Sequence, residues 1–141
     1  MLSTPINKVE QLAPDLWVIT ETDSVHCYLL LGKEKAMLFD IGYGYEDIQP
    51  IIHQITDLPV MLVISHGDPD HGLGSNHFKD VWLHPLDYGK LLCNDTEEMR
   101  KKAYAYRVNK APHFKPYIDA ETFLHTRISE NTTPHFLNEG D

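Results

Sequence analysis

An α/β fold built on a mixed β-sheet is what this sequence predicts, and three observations carry the prediction. The first third holds three β-rich runs joined by short polar links. A set of isoleucines at helical spacing follows them. Next comes "VMLVIS" (60–65), an apolar run without alternation, as expected of a strand buried on both faces. Strands in series, then helices and strands in alternation, give a layered α/β arrangement.

The elements follow in order. "LWVIT" (16–20), "HCYLLLG" (26–32) and "KAMLFDIG" (35–42) read as strands, with "KEK" as the polar turn between the last two. Short links make these an antiparallel meander. Glycines in "DIGYG" let the chain turn sharply after the third. Ile48, Ile51, Ile52 and Ile55 then mark one face of an amphipathic helix. Pro50 stands near its start, Asp47 is the candidate N-cap, and Pro59 ends it. "GLGSNHF" (72–78) reads as a short helix and "VWLHPLD" (81–87) as a strand. Residues 88–110 have the strongest helical composition in the chain. The tail, rich in Pro, Thr and Asn, reads as irregular structure with at most one short helix.

Composition narrows the function classes. A chain of 141 residues with 42% hydrophobic content supports one core. A net charge of -9 argues against a nucleic-acid partner or an anionic lipid surface, both of which need a basic face. No apolar run is long enough to span a membrane. Cys27 and Cys93 form no CxxC pair, and there is no secretory segment, so a cytoplasmic protein with reduced thiols is expected.

The chemistry concentrates in "SHGDPDHGLGS", just past the buried run. Of nine histidines only His66 and His71 cluster, and Asp68 and Asp70 stand between them. In an open α/β sheet, ligands sit outside the carboxyl ends of strands, where this loop lies. In an extended turn, His66 and Asp68 point the same way and could share a cation. Adjacent Asp70 and His71 diverge and could serve a second one. Two ions about 3.5–4 Å apart can hold a bridging hydroxide, the nucleophile of many hydrolases. The other reading of the loop is a turn in which the aspartates bond local backbone and the histidines are incidental.

"VISHGDPDHGLGS" resembles the HxHxDH metal signature of the metallo-β-lactamase fold superfamily. "HCYLLLGKEKAMLFDIGYG" is similar to that superfamily's second and third strands with their Asp-x-Gly turn. "DVWLHPLDY" is similar to the strand and aspartate that follow the first metal loop. The resemblance runs from about residue 9 to residue 95, more weakly to the final "FLNEGD", and is nearest to the glyoxalase II-like hydrolases. It implies half of an αββα sandwich, a mixed sheet with helices on one face. Residues 1–141 would be the N-terminal portion of a single domain.

By the same resemblance, His66 matches the first ligand of one metal site, and Asp70 and His71 match ligands of a second. Asp70 would also handle the proton of a bridging hydroxide. Asp40 matches an aspartate that steadies the loop. Asp68 falls where the family has a second histidine. A carboxylate there shifts preference toward iron or manganese, with zinc still the first expectation. The family's third histidine, bridging aspartate and last histidine lie beyond a stretch like "LNEGD", and His135 in "TPHF" lacks the context to replace them.

The resemblance therefore implies a metal-dependent hydrolase of a small-molecule thioester or other ester, acting through a metal-bound hydroxide and inactive as this chain alone. β-Lactamase activity itself is not expected. The alternatives are a flavodiiron-like redox protein and a non-catalytic binding domain with a degenerate metal loop. A half sandwich would leave an apolar sheet face open, so self-association through that face is expected.

Overall fold

The computed structural model describes residues 2–141. Seven strands lie in one sheet in chain order: β1 (Asn7–Ala13), β2 (Leu16–Glu21), β3 (Val25–Leu31), β4 (Ala36–Phe39), β5 (Val60–Val63), β6 (Asp80–Leu83) and β7 (Thr133–Phe136). The first four pair antiparallel, and β4 through β7 pair parallel. Helix α1 (Gln49–Ile55) links β4 to β5. The short helix α2 (Pro69–Gly72) and a 3₁₀ turn (Leu73–His77) link β5 to β6. Helices α3 (Pro85–Asn94), α4 (Glu97–Lys110), α5 (Ala120–His125) and α6 (Ile128–Asn131) precede β7.

The core lies on one face of the sheet. Leu29, Leu38, Leu62 and Leu83 point into it and meet Ile48, Ile51 and Ile52 of the α1 segment. The isoleucine spacing thus marked the right face. Pro50 starts the helix, and the Asp47 carboxylate accepts from Gln49 N at 3.0 Å although Ile48 occupies the capping position.

The opposite face is open. Cross-strand partners Val18, Tyr28, Phe39, Val63 and Trp82 form one row across it, and Leu16, Leu30, Met37 and Met61 form the next. Leu30 is 44% exposed and Tyr28 38%. "VMLVIS" is therefore buried on one side only, because helices cover one face and Met61 and Val63 stand half-buried on the other.

Four further differences from the sequence reading have physical causes. β1 exists although "NKVEQLA" looks polar, because it is an edge strand whose backbone pairs with β2. β7 and two short helices, α5 and α6, occupy much of the tail expected to be irregular with one short helix; Pro134 is tolerated because β7 is an edge strand. The strand expected over 81–87 ends at Leu83, since His84 caps α3 and Pro85 opens it. The helix expected over 88–110 is two helices, because Thr96 caps α4 by accepting from Met99 N.

Asp95, at that break, is buried and bonded. Its Oδ1 accepts from Arg100 Nε at 2.7 Å and its Oδ2 from Ile128 N at 2.6 Å. Arg100 is 1% exposed and also donates to the Phe123 carbonyl. This pair ties α4 to α5 and α6. Replacing Arg100 by Ala strands the Asp95 charge, so unfolding free energy should fall by about 3–5 kcal/mol in urea titration.

Glu21, the last residue of β2, is 2% exposed. Burial pushes its carboxyl up to about 7, against the opposing effect of three backbone N–H donors and of Arg107. Tyr43, Tyr45 and Cys27 are the other titratable groups that feel its charge. The folded chain then holds a proton that the unfolded chain releases near 4.5. Glu21's contribution to stability is full below that value and is lost as pH rises through about 7. Denaturation midpoints of Glu21→Gln should lack this decline, while the wild type should show it.

Candidate metal centre

The site begins at the carboxyl end of β5. Ser65 follows the strand, and Pro69 then fixes the start of α2. That helical turn decides the geometry. His66, Asp70 and His71 each offer a ligand atom, and the three atoms lie within 4.8 Å of one another. The His66 and His71 ring centroids are 4.4 Å apart. The expected divergence of Asp70 and His71 is overturned, because it assumed an extended turn and residues 69–72 are helical.

Asp68 is left out of that set. Its Oδ1 pairs with Lys90 Nζ at 2.6 Å, and its Oδ2 lies 3.2 Å from His66 Nε2. The Lys90 ammonium holds the Asp68 carboxyl below the usual carboxylate range. His66 and Asp68 do lie side by side, as expected, with Lys90 as the cation on Asp68.

Asp40 orients the imidazoles. Its Oδ2 lies 2.8 Å from His71 Nδ1, the geometry of a ring N–H donating to the carboxylate, which turns Nε2 toward Asp70. Asp40 also accepts from Ser65 N at 2.7 Å and Ser65 Oγ at 2.8 Å. Ser65 Oγ lies 2.8 Å from His66 Nδ1. One carboxylate thus reaches both rings. The reading of Asp40 as the residue that steadies the loop agrees with these contacts. His135 is elsewhere, bonded to Asp80 and stacked on Trp82.

Helix α3 holds the loop from its other side. Gly67 N donates to Asp87 Oδ1 at 3.1 Å, and Asn94 Nδ2 donates to the Gly67 carbonyl at 3.1 Å. A Cβ on Gly67 would lie 2.4 Å from the Asp87 carbonyl oxygen, so only glycine fits. A cavity of about 270 Å³ adjoins the site, lined by Ser24, His26, Tyr28 and Phe39 together with Asp70 and His71.

Sequence reasoning missed Ser65, Lys90, Asn94 and Glu21. Glu21 had a signal: it stands two and four residues past Ile19 and Trp17, so strand alternation places it on the core face.

The model of the family described as the metallo-beta-lactamase superfamily matches residues 20–137. This chain belongs to the metallo-beta-lactamase superfamily. No curated protein matches it in sequence. Among solved structures it is similar to DIM-1 metallo-beta-lactamase, with 14% identity over 65% of this chain and 48% of that one, at a TM-score of 0.53. It is also similar to a metallo-beta-lactamase from Hirschia baltica, with 12% identity over 62% and 48% of the two chains and the same TM-score. At these identities the likeness speaks for the fold. The chain spans about half the length of the structures it matches.

Membership of the superfamily implies a divalent metal. The donor set fits one: two imidazoles and a carboxylate with open positions suit catalytic zinc, and equally a non-haem iron. Among the described residues no helix is long and apolar enough to cross a membrane. Losing a partner that orients a ligating histidine costs about 10–100-fold in metal affinity. Asp40→Asn should weaken Zn²⁺ binding by that order in a competition titration, with little change in the far-UV spectrum.

Proposed function

We propose that this chain is the metal-binding N-terminal portion of a hydrolase domain that acts on a small-molecule thioester or other ester. The convergence of His66, Asp70 and His71 carries the reading. Zinc is the first choice of ion, with iron or manganese as alternatives because of the carboxylate content. A bound cation would polarise the substrate carbonyl and activate water. Asp70 would take the proton of that water, and Asp40 with Ser65 would keep both rings in orientation. The adjoining cavity, with Tyr28 and Phe39, would receive the acyl part. The free thiols Cys27 and Cys93 favour a cytoplasmic setting.

The open face of the sheet supports the reading as one portion of a domain. Leu30, Tyr28 and Phe39 are exposed on it beside half-buried Met37, Met61, Val63 and Trp82. The middle of both rows carries no charge, and Glu10, beside Val18 on the edge strand, stands at the rim, so a second copy of the chain can cover the apolar centre without burying that carboxylate. Association of the chain with itself follows.

A second reading has one observation in its favour. The Asp68–Lys90 pair ties up a position where the family has a ligand, as a non-catalytic domain with a degenerate loop would.

Calorimetry with Zn²⁺ should give one weakly held ion per chain, with Asp70→Asn reducing the affinity. Thioester hydrolysis by the 141-residue chain should stay at the buffer rate, since the cavity beside the three donors opens onto the uncovered sheet face and stays wet. Light scattering should show concentration-dependent association that Leu30→Glu reduces. A well-folded chain that takes up no divalent ion would sink the hydrolase reading and leave the binding domain. A monomer at all concentrations would remove the self-association.

A further inference from the structure

We infer that Glu21 is a positioning residue for the metal loop, acting through the backbone of residues 43–45 and through Asp40; the inference rests on the metal-centre reading above. The Glu21 carboxylate touches none of the candidate ligands. Its Oε1 accepts from Tyr43 N at 2.7 Å, and its Oε2 from Gly44 N at 2.9 Å and Tyr45 N at 3.1 Å. Three successive N–H groups converging on one anion make a concave backbone nest. A buried charge is costly unless something needs it there. Arg107 is the nearby cation, but its Nη2 donates to Ser24 Oγ. The turn is therefore what Glu21 holds.

That turn is built around its anion. Asp40, Gly42 and Gly44 all have positive φ, at 66°, 77° and 78°. A Cβ on Gly42 would lie 2.6 Å from Glu21 Oε1. The far side of the turn is fitted to the metal loop. Ile41 N donates to the His71 carbonyl at 3.0 Å, and Gly74 N donates to the Gly42 carbonyl at 3.0 Å. A Cβ on Gly44 would lie 2.4 Å from Gly74 Cα, so the two backbones are in contact. A shift of residues 42–45 must therefore move residues 71–74 or open a gap. The same shift moves Asp40, which fixes His71 directly and His66 through Ser65. Two of the three candidate ligands depend on a carboxylate on β2, on the far side of the turn from them.

A general loss of stability is the competing explanation, and the experiment separates the two. Glu21→Gln keeps the shape but presents an N–H to a nest of N–H groups. Glu21→Asp keeps the charge at residue 21 and shortens its reach to the turn, and it carries the test if Glu21→Gln fails to fold. Ile128→Val, in the core far along the chain, is the control for stability. Each is measured at pH 8 by urea unfolding, by competition titration with Zn²⁺, and by ring ¹⁵N–¹H correlation of His71 in the metal-free protein. Both Glu21 variants should bind Zn²⁺ about tenfold more weakly, the low end of the effect of an outer partner. Both should also lose the Nδ1-protonated form of His71, while the control keeps wild-type affinity and ring signal. Wild-type affinity in both Glu21 variants, or an equal loss in the control, would overturn the inference. If the wild type binds no Zn²⁺, the metal reading fails, and an unchanged His71 signal in the Glu21 variants then overturns the positioning role as well.

Discussion

The Asp40 carboxylate is the contact on which this site depends. It accepts from Ser65 N, from Ser65 Oγ and from the His71 ring. Its place follows from the parallel pairing of β4 with β5, which sets Phe39 beside Val63 and so brings the residues just past each strand together. Asp40 sits in the left-handed region at φ 66°, a conformation that costs a side-chain-bearing residue about 1–2 kcal/mol. The surrounding bonds over-determine it. Asp40 N donates to the Val63 carbonyl, Ile41 N to the His71 carbonyl, and three N–H groups beyond are held by Glu21. Strain that persists under such constraint is a feature of pre-organised sites.

Electrostatics around that contact have one sign. Asp40, Asp68 and Asp70 stand within one loop's reach, in a chain of net charge -9. The cation in direct contact with any of them is Lys90, an exposed lysine on Asp68. Asp70 meets only His71 Nε2, at 3.5 Å. A divalent ion among His66, Asp70 and His71 would relieve this repulsion, and the deeper the ion sits the less salt would screen it. The clamp on Gly67 from Asp87 and Asn94 removes loop freedom before any ion arrives, which lowers the entropic cost of binding.

How much of this the sequence disclosed depends on the kind of signal. Apolar, β-rich runs gave β2 to β6, and isoleucines at helical spacing gave α1, since a buried element needs a stretch of apolar side chains that composition reveals. The edge strands β1 and β7 left none: their backbone bonds come from a neighbour, and Val9 is the one side chain of β1 packed on the core. The family motif gave His66, Asp70, His71 and Asp40. Spacing alone did not bring the three together, because whether neighbours diverge depends on the backbone, and Pro69 opens a helical turn there. Lys90 and Asn94 were invisible because they reach the loop from a helix more than twenty residues away.

The open sheet face and the metal centre are one surface. Tyr28 and Phe39 belong to the apolar row and also line the cavity beside Asp70 and His71. The three candidate ligands come from a single loop, and two of them, Asp70 and His71, line that cavity. A body packed over β3 and β4 would also roof the cavity, exclude water from it and strengthen every charge interaction inside. Burial of Leu30, Tyr28 and Phe39 supplies the driving force for that packing. The same contact decides whether the site is a shallow, wet cluster of three donors or an enclosed centre. The sheet face and the cavity share two aromatic rings, so one packing event would bear on both.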